Sequence, residues 1–511
     1  MAAADEQQEL VPDEVIPHQH LAPLRYRDMP ESISWTRMVG PSIILAGLAL
    51  GSGEFILWPL IVYKAGFLFC WAALLGIVTQ YFINMEIERW TLLTGESTIT
   101  GFCRLSWHWS YVFLLMNIIP WAFPGWSTGA AHLGSWLAFG PREVQVAGGV
   151  TYEALYVREL AIVGLVVCGI VLTAGPVVYN TVEQIQTWLV GLILGMVVLI
   201  ACMVVRGDAI VGLGRGLLSI GSMPDPESTG LSMMQLLGAL AFAGVGGTLN
   251  LGQSNYVKDK GYGMGLYIGR ITSPLTGKEE TVEETGYHFH HTPENMSRWR
   301  AWWRAANIEH FASFLMTCCA TLFLLVLIAY SLLYDEQGQL REGARNMAGG
   351  FDFVWAQAQM LKAYPAGQAM HICFLMAGIA LLLTTELGVL DCVARISADI
   401  VSVNFVRAGS RLTVGNLYFL FLWSEIAIGA AILIAGTKEP TVLIQIAAAL
   451  NGGVMFLYSL LLLYMNAKIL PRSLAITPFR FLALVWACAF FGYFTIQSLR
   501  LALVPLLTGA L

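Results

Sequence analysis

Charge is scarce in this sequence. Only 12% of the 511 residues are Asp, Glu, Lys or Arg, about half of what a soluble domain carries. Basic runs are missing too, and a net charge of -6 gives no reason to expect a nucleic-acid partner. The nine cysteines include no CxxC pair, which argues against a disulfide framework or a structural zinc site. The chain has no HExxH, GxSxG or GxxxxGK[ST] segment, so no enzyme and no resident cofactor are expected. Gly261-Tyr262-Gly263-Met264-Gly265 lacks the strand-then-helix context of a dinucleotide loop. The N-terminus has no charged-then-apolar leader. Residues 1–30 are polar, acidic and proline-punctuated, which predicts an uncleaved, largely disordered tail.

What the sequence has is apolar length. Hydrophobic residues make up 57% of the chain, and mean hydropathy is +0.65. These are the marks of a multi-pass membrane protein with lipid as its surroundings. A span needs roughly 20 apolar residues. The pattern predicts eleven: 43–63, 66–87, 111–139, 160–174, 187–205, 231–257, 312–333, 369–390, 418–435, 442–464 and 481–507. Pro120 and Pro124 predict a kink in the third. Eighteen of the 28 Lys and Arg residues fall on the side of the N-terminus. The expectation is therefore a cytoplasmic membrane protein with its N-terminus inside and its C-terminus outside.

The domain plan that follows is a cytoplasmic tail, 1–35, and a transporter-sized unit, 36–505, with a cytoplasmic insert at 258–306. Within the insert, 265–272 and 281–289 predict a hairpin, and 293–306, with Trp299, Trp302 and Trp303, a helix on the membrane surface. His288, His290 and His291 read as a solvated strand end rather than a metal site. Residues 206–230 read as a polar loop.

Two spans are interrupted by chemistry that hydrocarbon does not tolerate. The first carries Gly51-Ser52-Gly53-Glu54 near its midpoint, and the sixth carries Gly244-Val245-Gly246-Gly247-Thr248. Paired glycines make poor helix. Irregular backbone at that depth needs protein or a watery cavity around it, and a carboxylate there costs at least about 2.5–3.5 kcal/mol. Both spans are expected to break there and to face one another across a polar site. The breaks lie five spans apart. Five is odd, so the second repeat enters the membrane from the opposite side, the plan of many secondary transporters. Repeat one is 36–206, repeat two 231–467, and span eleven, 480–507, stands apart.

Further segments carry a resemblance. Glu88-Arg89-Trp90-Thr91-Leu92-Leu93-Thr94-Gly95, Ala305-Ala306-Asn307-Ile308-Glu309, Val182-Glu183, Asn250-Leu251 and Gln445 resemble the Nramp (natural resistance-associated macrophage protein) metal transporters. That family lies within the amino acid–polyamine–organocation superfamily. The resemblance covers roughly residues 36–505. It implies an all-α membrane protein of LeuT-type fold, with broken helices one and six, that carries a metal ion, with proton coupling left open.

The chain departs from the family at the metal site itself. Where the family has Asp-Pro-Gly-Asn, this sequence reads Gly51-Ser52-Gly53-Glu54. Where the family has Met-Pro-His, Gly247, Thr248 and Leu249 stand, and Phe123-Pro124-Gly125-Trp126 replaces its acidic pair in span three. The expected substrate site is Gly51, Ser52, Gly53, Glu54, Gly247, Thr248, Asn250 and Gln253, with Glu54 and Asn250 as metal ligands. Oxygen donors without a thioether suit a hard, partly hydrated cation. The glycine-serine-glycine segment equally resembles that of amino acid carriers, in which free amides hold a carboxylate, so a small organic solute is the alternative substrate. Glu386, Glu425 and His132 are candidate proton-relay groups, each with an ordinary structural role as the alternative. Glu183, Glu309, Asp391 and Asp399 read as solvated or capping residues at span ends.

Overall fold

The computed structural model describes residues 9–34, 38, 40–146, 149–272, 283, 285–345, 347, 350–407, 410–436 and 439–508. Among these residues, nine helices are long and apolar enough to cross a membrane: Pro41–Ala65, Cys70–Thr94, Val157–Ala174, Val178–Val204, Pro293–Leu333, Gly367–Phe405, Val414–Ile434, Pro440–Ile469 and Pro478–Gln497. They correspond to spans one, two, four, five and seven to eleven of the sequence pattern. The helix holding the last of them runs on to Thr508. Two interrupted pairs take the places of spans three and six. His108–Trp121 and Gly125–Phe139 are separated at Pro124. Met233–Ala241 and Gly247–Lys260 are separated by glycines. The molecule is an all-α, multi-pass membrane protein.

Span one differs from expectation. It does not break at residues 51–54. It widens into a π-helix over Leu50–Leu57 and continues as Trp58–Ala65. Pro59 has no N–H to offer the carbonyl four residues back, and the Trp58 N–H reaches Gly53 O, five residues back. The glycines serve packing instead. A Cβ on Gly53 would lie 1.6 Å from the Phe242 carbonyl oxygen, and one on Gly51 would lie 2.5 Å from Leu381 O. Span one thus packs glycine against backbone on two neighbours.

The N-terminal tail also differs. Val11, Ile16, Leu24 and Met29 are fully buried. Arg25–Tyr26 pairs in parallel with Tyr287–His288. Apolar side chains spaced among prolines dock the tail against the rest of the protein. Tyr287–His288 therefore pairs with the tail, while the Glu283 N–H donates to Ile268 O at 2.8 Å across the expected hairpin, of which residues 273–282 and 284 lie outside the described residues. The tryptophan-rich segment is no separate surface helix. Pro293–His310 runs through a π-helical turn, Phe311–Met316, into Thr317–Leu333. Trp299 and Trp302 are buried, and the Trp302 indole donates to Pro30 O at 2.9 Å. His288 is likewise buried rather than solvated.

The expected polar loop after span five contains the helix Gly207–Leu218. A hairpin of Arg142–Val146 and Gly149–Glu153 follows span three. Span eight is longer than its apolar core, Gly367–Phe405, and so takes Asp391, Arg395 and Asp399 into helix. Asp391 and Asp399 are buried in ion pairs with Arg395 and Lys258, and Glu183 is held by Lys260 at 2.6 Å. Two of the acids expected to be solvated are thus interior, because the helices extend beyond the apolar runs.

Candidate substrate site

The break in span six is the irregular backbone around which the site is arranged. The first half, Met233–Ala241, starts with a capping box between Ser232 and Gln235. Chain direction then changes through Gly244, Gly246 and Gly247, with φ of 123°, 84° and 59°. Only glycine adopts this run without strain. The exposed peptide groups are satisfied from span two. Gln80 Nε2 donates to Ala241 O at 2.9 Å and Ala243 O at 3.1 Å. Gln80 Oε1 accepts from Val245 N at 3.0 Å and Gly246 N at 3.2 Å. An amide in an apolar span, Gln80 with Asn84 one turn on, was the sequence signal for this residue.

The second half begins at Gly247, where a Cβ would lie 1.8 Å from Asn451 Oδ1 of span ten. Asn451 Oδ1 is buried without a hydrogen-bond partner. Thr248 Oγ1 accepts from the Trp121 indole at 2.8 Å. Trp121 stacks on Phe242 and Trp126, with centroids 5.6 Å away in each case, so aromatic rings of span three close one side of the break. Asn250 Nδ2 donates to Tyr458 OH at 3.0 Å, and Asn250 Oδ1 accepts from Gly246 N at 3.2 Å. In this arrangement Asn250 braces the break. Its side chain makes no contact with Glu54.

Glu54 lies on the other side of the Gly53–Phe242 contact. Its side chain is fully buried. Thr321 of span seven donates to Oε2, and the Cys318 thiol, one turn away, is within hydrogen-bonding reach. Oε1 has no partner. Among the described residues no Lys or Arg pairs with it, and no group of three His, Cys, Asp or Glu side chains is placed to hold a metal ion. The Cys318 thiol adds a sulfur beside the carboxylate to the oxygen donors expected from the sequence. The Gly51 N–H donates to Thr385 Oγ1 at 3.0 Å and stays within an unbroken helix. The free amides on which the organic-solute alternative depended are therefore not formed by span one. The Ser52 side chain lies outside the described residues.

Gln253 falls elsewhere. Its Nε2 contacts Glu88 Oε2 at 3.0 Å and His310 Nδ1 at 3.3 Å, a turn and more inward of the break. Glu309, expected to be solvated, is buried in the same cluster. The relay candidates occupy another interface. Glu386 Oε2 accepts from Ser127 N at 3.0 Å. Glu425 is buried in span nine, with neither oxygen partnered, near enough for its charge to interact with that of Glu386. His132 Nδ1 is 3.1 Å from Thr128 O, and its ring meets Trp136 and Phe351 edge-on, as a core histidine does. Gln445 pairs with Gln235 at 3.4 Å, away from the break.

No family model and no curated protein matches this sequence. Solved structures do match. Crystal structures of two mutants of the Eremococcus coleocola manganese transporter align with TM-scores of 0.61 and 0.62, at 11% identity, over 98% of this chain and 92% of theirs. The same transporter in complex with an aromatic bis-isothiourea substituted compound aligns at 0.61, with 11% identity, over 96% of this chain and 91% of that one. At this identity the likeness concerns the fold. The chain therefore folds as these manganese transporters do, as an all-α, multi-pass membrane protein.

Proposed function

We propose that this protein is a secondary transporter that moves a divalent cation across the cytoplasmic membrane, with Glu54 as the central charge of the substrate site. The observation that carries this reading is Glu54 itself: fully buried, without a basic partner among the described residues, and with one carboxylate oxygen unpartnered beside the broken span six. Such an acid is costly unless it is neutralised or meets a positive charge. A passing cation supplies that charge. The fold likeness to proteins named as manganese transporters supports the same reading. Around Glu54 stand the Thr321 hydroxyl, the Cys318 thiol and, across Gly53, the Phe242 carbonyl. With only one carboxylate, the ion would keep much of its water. The distribution of Lys and Arg supports an N-terminus inside.

Glu54→Gln tests the reading, because it keeps shape and removes charge. Uptake of Mn²⁺ and Mg²⁺ into proteoliposomes should be lost, while the melting temperature of the purified variant holds or rises. Normal uptake with unchanged affinity would remove Glu54 from the site. A melting-temperature rise of the wild type with an amino acid, and none with Mn²⁺ or Mg²⁺, would favour an organic solute.

A further inference from the structure

A second polar cluster lies inward of Glu54, between spans one, two, six and seven. Ser42 precedes Glu54, and Glu309 precedes Thr321, by about 18 Å of helix. Ser42, Glu88, Gln253, Glu309 and His310 are all buried. Ser42 Oγ contacts Glu309 Oε2 and, at 2.8 Å, His310 Nδ1. Gln253 Nε2 bridges Glu88 and the same ring nitrogen. Glu309 Oε1, His310 Nε2, Gln253 Oε1 and the hydroxyls of Tyr179 and Tyr262 are buried without hydrogen-bond partners.

Ser42 has one hydroxyl hydrogen, and it cannot go to both Glu309 and His310. Either Ser42 donates to Nδ1 and a protonated Glu309 donates to Ser42, or Ser42 donates to an ionised Glu309 and the Nδ1–H donates to Ser42. The two arrangements differ by one proton moved between Glu309 and His310.

We propose that Glu309, Ser42 and His310 form a proton site separate from the substrate site, and that one proton passes between Glu309 and His310 through the Ser42 hydroxyl. In the transfer, Glu309 Oε2 gives its hydrogen to Ser42 Oγ while Ser42 gives its own to His310 Nδ1. Glu309 becomes a carboxylate and His310 an imidazolium, with net charge unchanged. The acids are linked through Ser42 and Gln253 and do not converge as a chelate, which suits a proton better than a metal ion.

The charged and titratable groups that face this site come from every neighbouring element. Span two supplies Glu88 and Tyr81, whose ring lies 5.5 Å from that of His310. Span five supplies Tyr179 and Glu183, and Lys260 of span six holds Glu183. Tyr262 follows span six and lies near Glu309. Arg480 of span eleven acts on His310 and pairs with Glu86 at 3.3 Å. The coupling role rests on the transport reading. The proton site itself does not.

Two measurements separate these claims. Difference infrared spectra across a pH titration of the purified protein should show a protonated carboxyl carbonyl band that disappears in Glu309→Gln and shifts in Ser42→Ala. The second variant serves if the first fails to fold. In proteoliposomes, an inward proton gradient should stimulate Mn²⁺ uptake by the wild type, while Glu309→Gln takes Mn²⁺ up downhill without stimulation. A spectrum unchanged in both variants overturns the proposal, as does equal stimulation in wild type and variants. A sodium gradient that drives uptake, with its effect lost in Glu309→Gln, also overturns it in favour of sodium. A wild type that moves no cation defeats the transport reading, and the infrared band still decides the proton site.

Discussion

Beside Glu54 stands a sulfur atom, the Cys318 thiol of span seven. Cys318 and Thr321 lie one turn apart on the same helix, and both reach the Glu54 carboxylate. Soft donors raise affinity for softer ions and leave hard ions little changed. Cys318→Ser should therefore weaken competition by Cd²⁺ and Mn²⁺ about tenfold relative to Mg²⁺, roughly 1.4 kcal/mol. Competition uptake reads this directly, and unchanged ratios would remove Cys318 from the ligand set. Glu54 was legible in the sequence as the acid of an apolar run. Cys318 was not, because a cysteine in an apolar span looks like any small core residue until a partner is found.

At the scale of elements, the break in span six depends on span two. Gln80 fills four hydrogen-bonding positions of the exposed backbone. Gln80→Leu leaves those groups buried and unpaired at about 1–3 kcal/mol each. The expected result is a large fall in melting temperature or failure to purify as a single species. A variant as stable as wild type would mean that water replaces the side chain. The docked tail has its own switch. His288 Nδ1 is 3.4 Å from Leu93 O, and Nε2 is 3.3 Å from His291 Nε2. A neutral ring satisfies both, donating at Nδ1 and accepting at Nε2. Burial pushes its pKa from 6.5 down to about 4, with the charges of His291 and His290 acting in the same direction. The unfolded or undocked chain thus takes up the proton first as pH falls. The stabilisation is complete above about pH 6.5 and is lost toward pH 4, at most roughly 3 kcal/mol. Hydrogen exchange over residues 9–34 should accelerate across that window in the wild type and much less in His288→Gln. Equal pH dependence in both would refute the switch.

Across the whole molecule, a buried charge network joins the second half of span six to span eight. Arg395 pairs with Asp259 and, at 2.8 Å, with Asp391. Tyr256 and Tyr418 donate to Asp391 at 2.9 and 2.8 Å, and Lys258 pairs with Asp399. Span one, unbroken, packs glycine against both of these spans. On the proposed transport reading, alternating access moves one set of helices against another, and this latch would hold in one state and yield in the next. Arg395→Met leaves two acids without their cation and should cost about 3–5 kcal/mol. Melting temperature should fall and uptake with it. A loss of uptake at unchanged stability would instead mark the network as a gate alone.

The sequence by itself determined that this is a multi-pass membrane protein, because hydrocarbon thickness demands long apolar runs and these are visible without a fold. It also determined the interruption of span three at Pro124 and the break at Gly244–Gly247, since proline and clustered glycines act on their own backbone. Tertiary structure decided what depends on a neighbour. Gly51 and Gly53 signal either a break or a close approach, and the Phe242 and Leu381 carbonyls made them the latter. Gln253 was counted among the oxygen donors near the break, yet its face of the helix met Glu88 and His310. Glu309, Asp391 and Asp399 lie beyond the apolar runs, where a sequence suggests water, and became interior because their helices continue and neighbouring helices cover them. A local pattern reports what a residue prefers to be near. Only packing decides what it actually meets.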